Sequence, residues 1–412
     1  MHQQPKRLAC ASLAALLLYV AAAAQADSES SRFDDAWRSV VSRFEQRLTN
    51  EKVVGGAIVF TSREHGRHSA YFGVQDLESK VPVSDATIFH WASITKSFTA
   101  IAAMQLVDRG MLDLQTPAVT YLPELRAMYS PLAPIEDLRV RHLMTHTGGL
   151  RGPTWPWGGD KPWHPHEPTQ WSQLVAMMPY TEIEFPPGQE YSYSNPGYTF
   201  LGRIIEVLSG EDIETYIDKN VLRPLRMHAS YFDLTPAHLR RSRSNNYYLV
   251  QDAPVANGID FDTGVTNANG GLNASIADMT RYIEFLSGRM SQTPFPLPRD
   301  TLERMWQPVA EVARETDLVE SMGYGYFVID FDADGAGTAP SRRYIGHTGT
   351  QMGFRSFIYV DPDNGAAALI ALNTRATENY RQLYSDTRRD IFTILFSPPP
   401  KGARSRPTTS SR

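Results

Sequence analysis

Cysteine is almost missing from these 412 residues, and the single one, Cys10, lies in the first stretch of the chain. Beyond it there can be no disulfide, no thiol nucleophile and no cysteine-ligated metal. Lysine is scarce too, with seven copies. After residue 24 no apolar run approaches the roughly 20 residues that a membrane-spanning helix needs. Excess positive charge is also lacking. The net charge is −5, and without the +2 of Lys6 and Arg7 and the +4 of the tail from Ser397 the body stands at −11. A moderately acidic body excludes nucleic acid as a partner.

The apolar share is 42%, that of a globular protein able to bury a sizeable core. Lys6 and Arg7 precede an apolar run, Leu8 to Ala24, and Ala24-Gln25-Ala26 has the small-x-small form of a cleavage site. Residues 1–26 therefore read as a secretory signal, which predicts a periplasmic or secreted protein with no membrane span after cleavage. The polar, proline-rich segment 397–412 reads as a disordered tail.

Between them, residues 27–396 read as one domain of α+β class. Phe33, Ala36, Trp37, Val40, Val41, Phe44 and Leu48 predict an amphipathic helix. Apolar runs over 54–61 and 68–75 predict a hairpin, and further strands are predicted over 324–331, 342–346, 353–360 and 366–373. Helical patterns fill the middle. The simplest architecture is one antiparallel sheet from both chain ends (27–92 and 275–396), flanked by the terminal helices, with a helical region (93–274) inserted beside it.

Three short motifs carry chemistry. In FHWASITKSF (89–98), Ser93 precedes Lys96 by three residues, and Lys96 is the only lysine with that neighbour. On a helix the two share a face. Phe89, Trp91 and Phe98 would disfavour the lysine's charge, which leaves either a usable base for a weak serine nucleophile or a tightly held cation beside it. In YSYSNPGY (191–198), Tyr193 and Asn195 sit on a turn before a helix. A phenol can relay a proton, and an amide can hold a substrate carbonyl. In YIGHTGTQMGF (344–354), His347-Thr348-Gly349 ends one predicted strand before the next begins. There a glycine lets a substrate backbone approach, and the Thr350 N–H can point at a reacting carbonyl.

Ser-x-x-Lys, Tyr-x-Asn and His-Thr-Gly in this order resemble the penicillin-recognising serine hydrolases: class C β-lactamases, D-Ala-D-Ala carboxypeptidases, D-aminopeptidases and related esterases. RHLMTHTGGL (141–150) and NGGLNASIADMTRY (269–282) also match that family's pattern. The resemblance implies the β-lactamase/transpeptidase-like fold, no cofactor and no metal. It implies Ser93 as nucleophile, with Lys96 and Tyr193 sharing proton transfer. Asn195, His347, Thr348, Gly349 and Thr350 would bind substrate, and the N–H groups of Ser93 and Thr350 would form the oxyanion hole. His146 receives no role. The expected partner is a small-molecule or peptide substrate, peptidoglycan-derived substrates included.

Histidine at 347 replaces the lysine common in that family, which favours esters or D-amino-acid peptides and amides over β-lactams. The alternatives are a weak or narrow β-lactamase and a non-catalytic peptidoglycan-binding protein. Arg355, near the start of the next strand, could restore an anion site, but it is expected to face outward. Trp155, Trp157 and Trp163 are candidates for an apolar wall over the cleft. His164, His166 and Glu167 form too sparse a set for a metal.

Overall fold

The computed structural model describes residues 31–150, 168–260, 262–290, 295–332, 341–375 and 380–396. The signal segment, the tail, the three loop tryptophans and the His164, His166 and Glu167 set lie outside these residues. The chain divides into two units, one running to Arg47 and resuming at Arg381, the other covering Leu48–Tyr380.

The large unit is built on buried, largely apolar runs. Strands β1 (Gly55–Ser62), β12 (Phe354–Asp361) and β13 (Ala366–Leu372) are buried along their whole length. Such strands are covered on both faces, so they show no period-2 alternation. With β2 (Gly66–Gly73), β8 (Ala310–Arg314), β9 (Leu318–Met322), β10 (Phe327–Phe331) and β11 (Arg342–Gln351) they form one antiparallel sheet in the order β2-β1-β13-β12-β11-β10-β9-β8. As expected, the sheet is assembled from both ends of the chain. The Ile276–Leu286 helix packs on β1, β12 and β13.

The inserted region is mainly helical and shares two small sheets with the segments that flank it. β3 (Ile88–His90), β7 (Leu272–Ser275) and β4 (Ser230–Phe232) form one three-stranded sheet. A second contains β14 (Thr374–Arg375), β5 (Tyr247–Val250) and β6 (Ala253–Ala256). The Thr95–Asp108 helix runs through the core and is buried on all sides over Thr95–Leu106. A helix apolar all round belongs in an interior, and its buried polar groups find partners there. Thr99 Oγ1 donates to Ala268 O at 2.6 Å, and Gln105 Nε2 donates to Asn220 O and Pro296 O at 2.9 Å.

The predicted N-terminal helix spans 31–50 and belongs to the small unit as far as Arg47. Arg43 and Arg47 both hold Asp390, on the helix Tyr380–Asp390, at 2.9 and 2.7 Å. Arg47 also donates to Thr387 Oγ1 at 3.3 Å.

Candidate active site

Ser93 does not open the α-helix. It lies in a separate 3-10 turn, Ala92–Ile94, between β3 and the helix that begins at Thr95. The turn is fixed from several sides. Trp91 is fully buried, its indole N–H donates to Ala274 O at 2.9 Å, and its backbone N–H donates to Leu272 O at 2.9 Å. Thr95 Oγ1 donates to Ala92 O at 2.6 Å and accepts from Leu272 N at 3.1 Å. Ala92 has φ +48°, in the left-handed region that alanine seldom occupies. The turn thus presents Ser93 partly exposed at the end of a rigid core helix.

Lys96 is completely buried. Its Nζ lies 3.2 Å from Ser93 Oγ and donates to Asn269 O at 2.8 Å. The rings of Tyr193 and Tyr198 stand 5.0 and 5.7 Å from Nζ. Burial holds its pKa well below the ordinary lysine value, because an ammonium taken from water loses its hydration. The neutral amine is the form this setting favours.

Tyr193 precedes the Asn195–Ser209 helix, whose N-cap Ser194 accepts from Gly197 N at 3.1 Å through Oγ. Its phenol hydrogen-bonds Ser93, and burial pushes its pKa up, so the hydroxyl keeps its proton at neutral pH. Ser93, Lys96 and Tyr193, about 100 residues apart in sequence, therefore meet at one point. Asn195 begins the helix beside them.

The His-Thr-Gly motif is strand, and not the end of one. β11 continues through Gln351, with the hairpin turn at Met352-Gly353. β10 reaches only Gly346, so His347–Gln351 extend past the end of β10 while still pairing with β12. Gly349 packs against the Ser93 turn, where a Cβ would stand 2.3 Å from Trp91 O and 2.5 Å from Ser356 Oγ. His347 is buried, and its Nδ1 donates to Thr348 O at 2.7 Å, which leaves the lone pair on Nε2. Burial, then the nearby Lys96, pull its pKa down to about 3. Thr348 is half-buried and Thr350 exposed. Arg355 corrects the outward-facing expectation. It is buried on β12, and its guanidinium donates to the carbonyls of Met352 and Phe354 at 3.0 and 2.6 Å.

His146 belongs to the arrangement although its sequence context gave it no part. Its ring stacks on Tyr193 at 4.2 Å between centroids, 28° from parallel. No local pattern could have revealed this, since the contact joins residues 47 apart through tertiary packing. Among the described residues no group of three potential ligands could hold a metal ion. A separate cleft of about 190 Å³, lined among others by Trp171, Arg203 and Val265, does not include Ser93, Lys96 or Tyr193.

Comparison with known proteins agrees with this fold. The model of the family described as Beta-lactamase matches residues 40–391. Penicillin-binding protein 4 of Amycolatopsis lactamdurans is 27% identical over 386 residues, covering 89% of this chain and 94% of that protein. Protein flp of Staphylococcus aureus (strain MW2) is 23% identical over 340 residues, which is 82% of this chain but 64% of the relative. The chain thus spans just under two thirds of that relative's length. Among solved structures, a class C beta-lactamase superposes with a TM-score of 0.72 at 20% identity, covering 89% of this chain and 97% of that one. The octameric penicillin-binding protein homologue from Pyrococcus abyssi gives 0.69 at 26% identity, covering 88% and 78%. Sheet, helices and family model together establish that the chain belongs to the beta-lactamase family, whose members are serine hydrolases.

Proposed function

We propose that this protein hydrolyses esters or D-amino-acid-containing peptides and amides through an acyl-enzyme on Ser93. The observation that carries the reading is the buried Nζ of Lys96, 3.2 Å from Ser93 Oγ and held toward its neutral form. In this reading the Lys96 amine takes the Ser93 proton as Oγ attacks the carbonyl carbon. The N–H groups of Ser93 and Thr350 receive the oxyanion, and Asn195 holds the acyl carbonyl or amide. The Tyr193 phenol gives its proton to the leaving alcohol or amine and regains one from Lys96. Water then repeats the sequence in reverse and frees the acid. The substrate backbone lies along His347–Gly349, beyond the end of β10.

Intact-mass analysis after exposure to a fluorophosphonate tests it. One adduct is expected on the wild type and none on Ser93→Ala; equal labelling of both would end the proposal. The pH profile is a second check. With Lys96 depressed and His347 near 3, kcat/KM should sit on a plateau around neutral pH. A steady climb toward the ordinary lysine value of 10.5 would contradict a neutral Lys96.

A narrow β-lactamase is the second reading, favoured by the likeness to the class C beta-lactamase fold. His347 weighs against it. Its Nε2 offers a lone pair where a substrate carboxylate would need a donor or a cation. His347→Lys should therefore raise turnover of a chromogenic cephalosporin relative to a p-nitrophenyl ester by about tenfold, the effect of one charge-assisted hydrogen bond. An unchanged ratio would remove His347 as the specificity determinant. We also propose export with cleavage after Ala26, motivated by the Ala24-Gln25-Ala26 site behind its apolar run. N-terminal sequencing of the exported protein should begin at Asp27, and an intact Met1 would refute this.

A further inference from the structure

His146 is a buried titratable ring that the acyl-transfer scheme leaves unused. Three attachments tie it to the segment carrying Tyr193. Its carbonyl accepts from Ser192 N at 2.9 Å. Its Nδ1 accepts from Ser194 N at 2.9 Å. Between these two anchors its ring lies against the Tyr193 ring at 4.2 Å. The bond from Ser194 fixes the tautomer, because Nδ1 must be bare and the neutral ring carries its proton on Nε2. His146 itself holds φ +56°, a conformation that side chains other than glycine rarely adopt. The backbone is thus bent to bring this ring to this place.

We propose that His146 is the positioning residue for Tyr193: its backbone carbonyl holds Ser192 on one side of the tyrosine, and its neutral imidazole holds Ser194 on the other and the plane of the tyrosine ring, so that the phenol oxygen stays on Ser93. The proposal rests on the reading of Tyr193 as proton relay. The titratable groups around the ring agree with a neutral histidine. Burial disfavours a positive charge on the ring first of all, any charge on Lys96 of the core helix or on His347 of β11 would oppose it further, and Tyr191, Tyr193 and Tyr198 bring phenols that burial keeps protonated. Protonated Nδ1 would confront the Ser194 N–H donor to donor and release the segment.

A double-mutant cycle tests this. His146→Asn keeps an acceptor and loses the ring face; His146→Phe keeps the face and loses the acceptor. Each should lower kcat on a p-nitrophenyl ester about tenfold with KM within about twofold, the signature of misplaced catalytic geometry. In a Tyr193→Phe background, already slow, neither should lower kcat further. Losses that multiply in that background, or that fall on KM, would overturn the positioning role alone. A Tyr193→Phe enzyme as fast as the wild type would overturn the relay and His146 with it, before any His146 variant is made. Should the His146 variants not fold, the ¹⁵N imidazole spectrum of the wild type decides. A bare Nδ1 and protonated Nε2 for His146 are expected at neutral pH, and a protonated Nδ1 would refute the proposal.

Discussion

Lys96→Met is expected to lower kcat by about 10³–10⁴-fold while leaving the protein more stable at neutral pH. The size of the loss follows from what remains. General-base assistance is worth about 10²–10⁴, and no neighbour can take it over. The Tyr193 phenol keeps its proton because burial opposes a phenolate. Ser97 Oγ is engaged with Ile94 O, and the Nε2 lone pair of His347 on β11 is a weak base, because burial first of all pulls the pKa of that ring down to about 3.

The gain in stability follows from linkage. Above about 10.5 the amine is neutral in both folded and unfolded chains, and burial carries no ionisation cost. As pH falls below that value the unfolded chain binds a proton that the native protein excludes, so native stability decreases until the depressed folded pKa is reached. Methionine fills a similar volume and never titrates. It gives up the donor to Asn269 O, which offsets part of the gain. Urea denaturation of both proteins near pH 7 and near pH 10 should show the variant's advantage at the lower pH and its shrinkage at the higher. An advantage independent of pH would mean that Lys96 is not held neutral. The site is thus a place where function opposes stability.

Gly349→Val should also be damaging, by another route and to a smaller extent. A Cβ at residue 349 would stand 2.3 Å from Trp91 O, a backbone atom that also accepts from Ile94 N at 3.1 Å and so helps close the Ser93 turn. Neither β11, paired along its length with β12, nor Trp91, fully buried, can yield cheaply. Overpacking of this kind costs about 1–3 kcal/mol. Displacing the turn by about 1 Å would cost on the order of 10²-fold in kcat/KM. Thermal unfolding and ester hydrolysis measured together check both halves. A variant with wild-type activity would show that the β11–turn contact does not set the position of Ser93.

The chemistry was easier to read from sequence than the shapes that present it. Ser93, Lys96 and Tyr193 stand out because each is an uncommon choice where it occurs, a lysine among aromatic residues or a Tyr-x-Asn before a helix. The structure brings the three together. The strands of the main sheet were legible where apolar runs are long, as in β1, β12 and β13. Strands of three to five residues, such as β3, β4 and β9, are too short for a period to show. β11 was cut short at Gly346 because His-Thr-Gly-Thr has no apolar alternation; its strand conformation comes from pairing with β12. Arg355 was misjudged for a different reason. A charged side chain near the start of a strand was expected at the surface, whereas β12 is buried along its whole length. The left-handed Ala92 and the stacked His146 are tertiary facts, and nothing local encodes them.

The pairing of β1 with β13 also bears on how the chain folds. Residues 56–61 lie beside residues 372–367, some 300 positions later. Strand β1 can find one neighbour, β2, as soon as it is made, but its other edge stays open until residues 367–372 have been synthesised. Contacts of such separation raise contact order and slow folding, and the exposed edge of an apolar strand is a template for unwanted association in the interval. The last strands made therefore close the sheet. A truncation before Ala366 should leave an aggregating chain in place of a smaller enzyme.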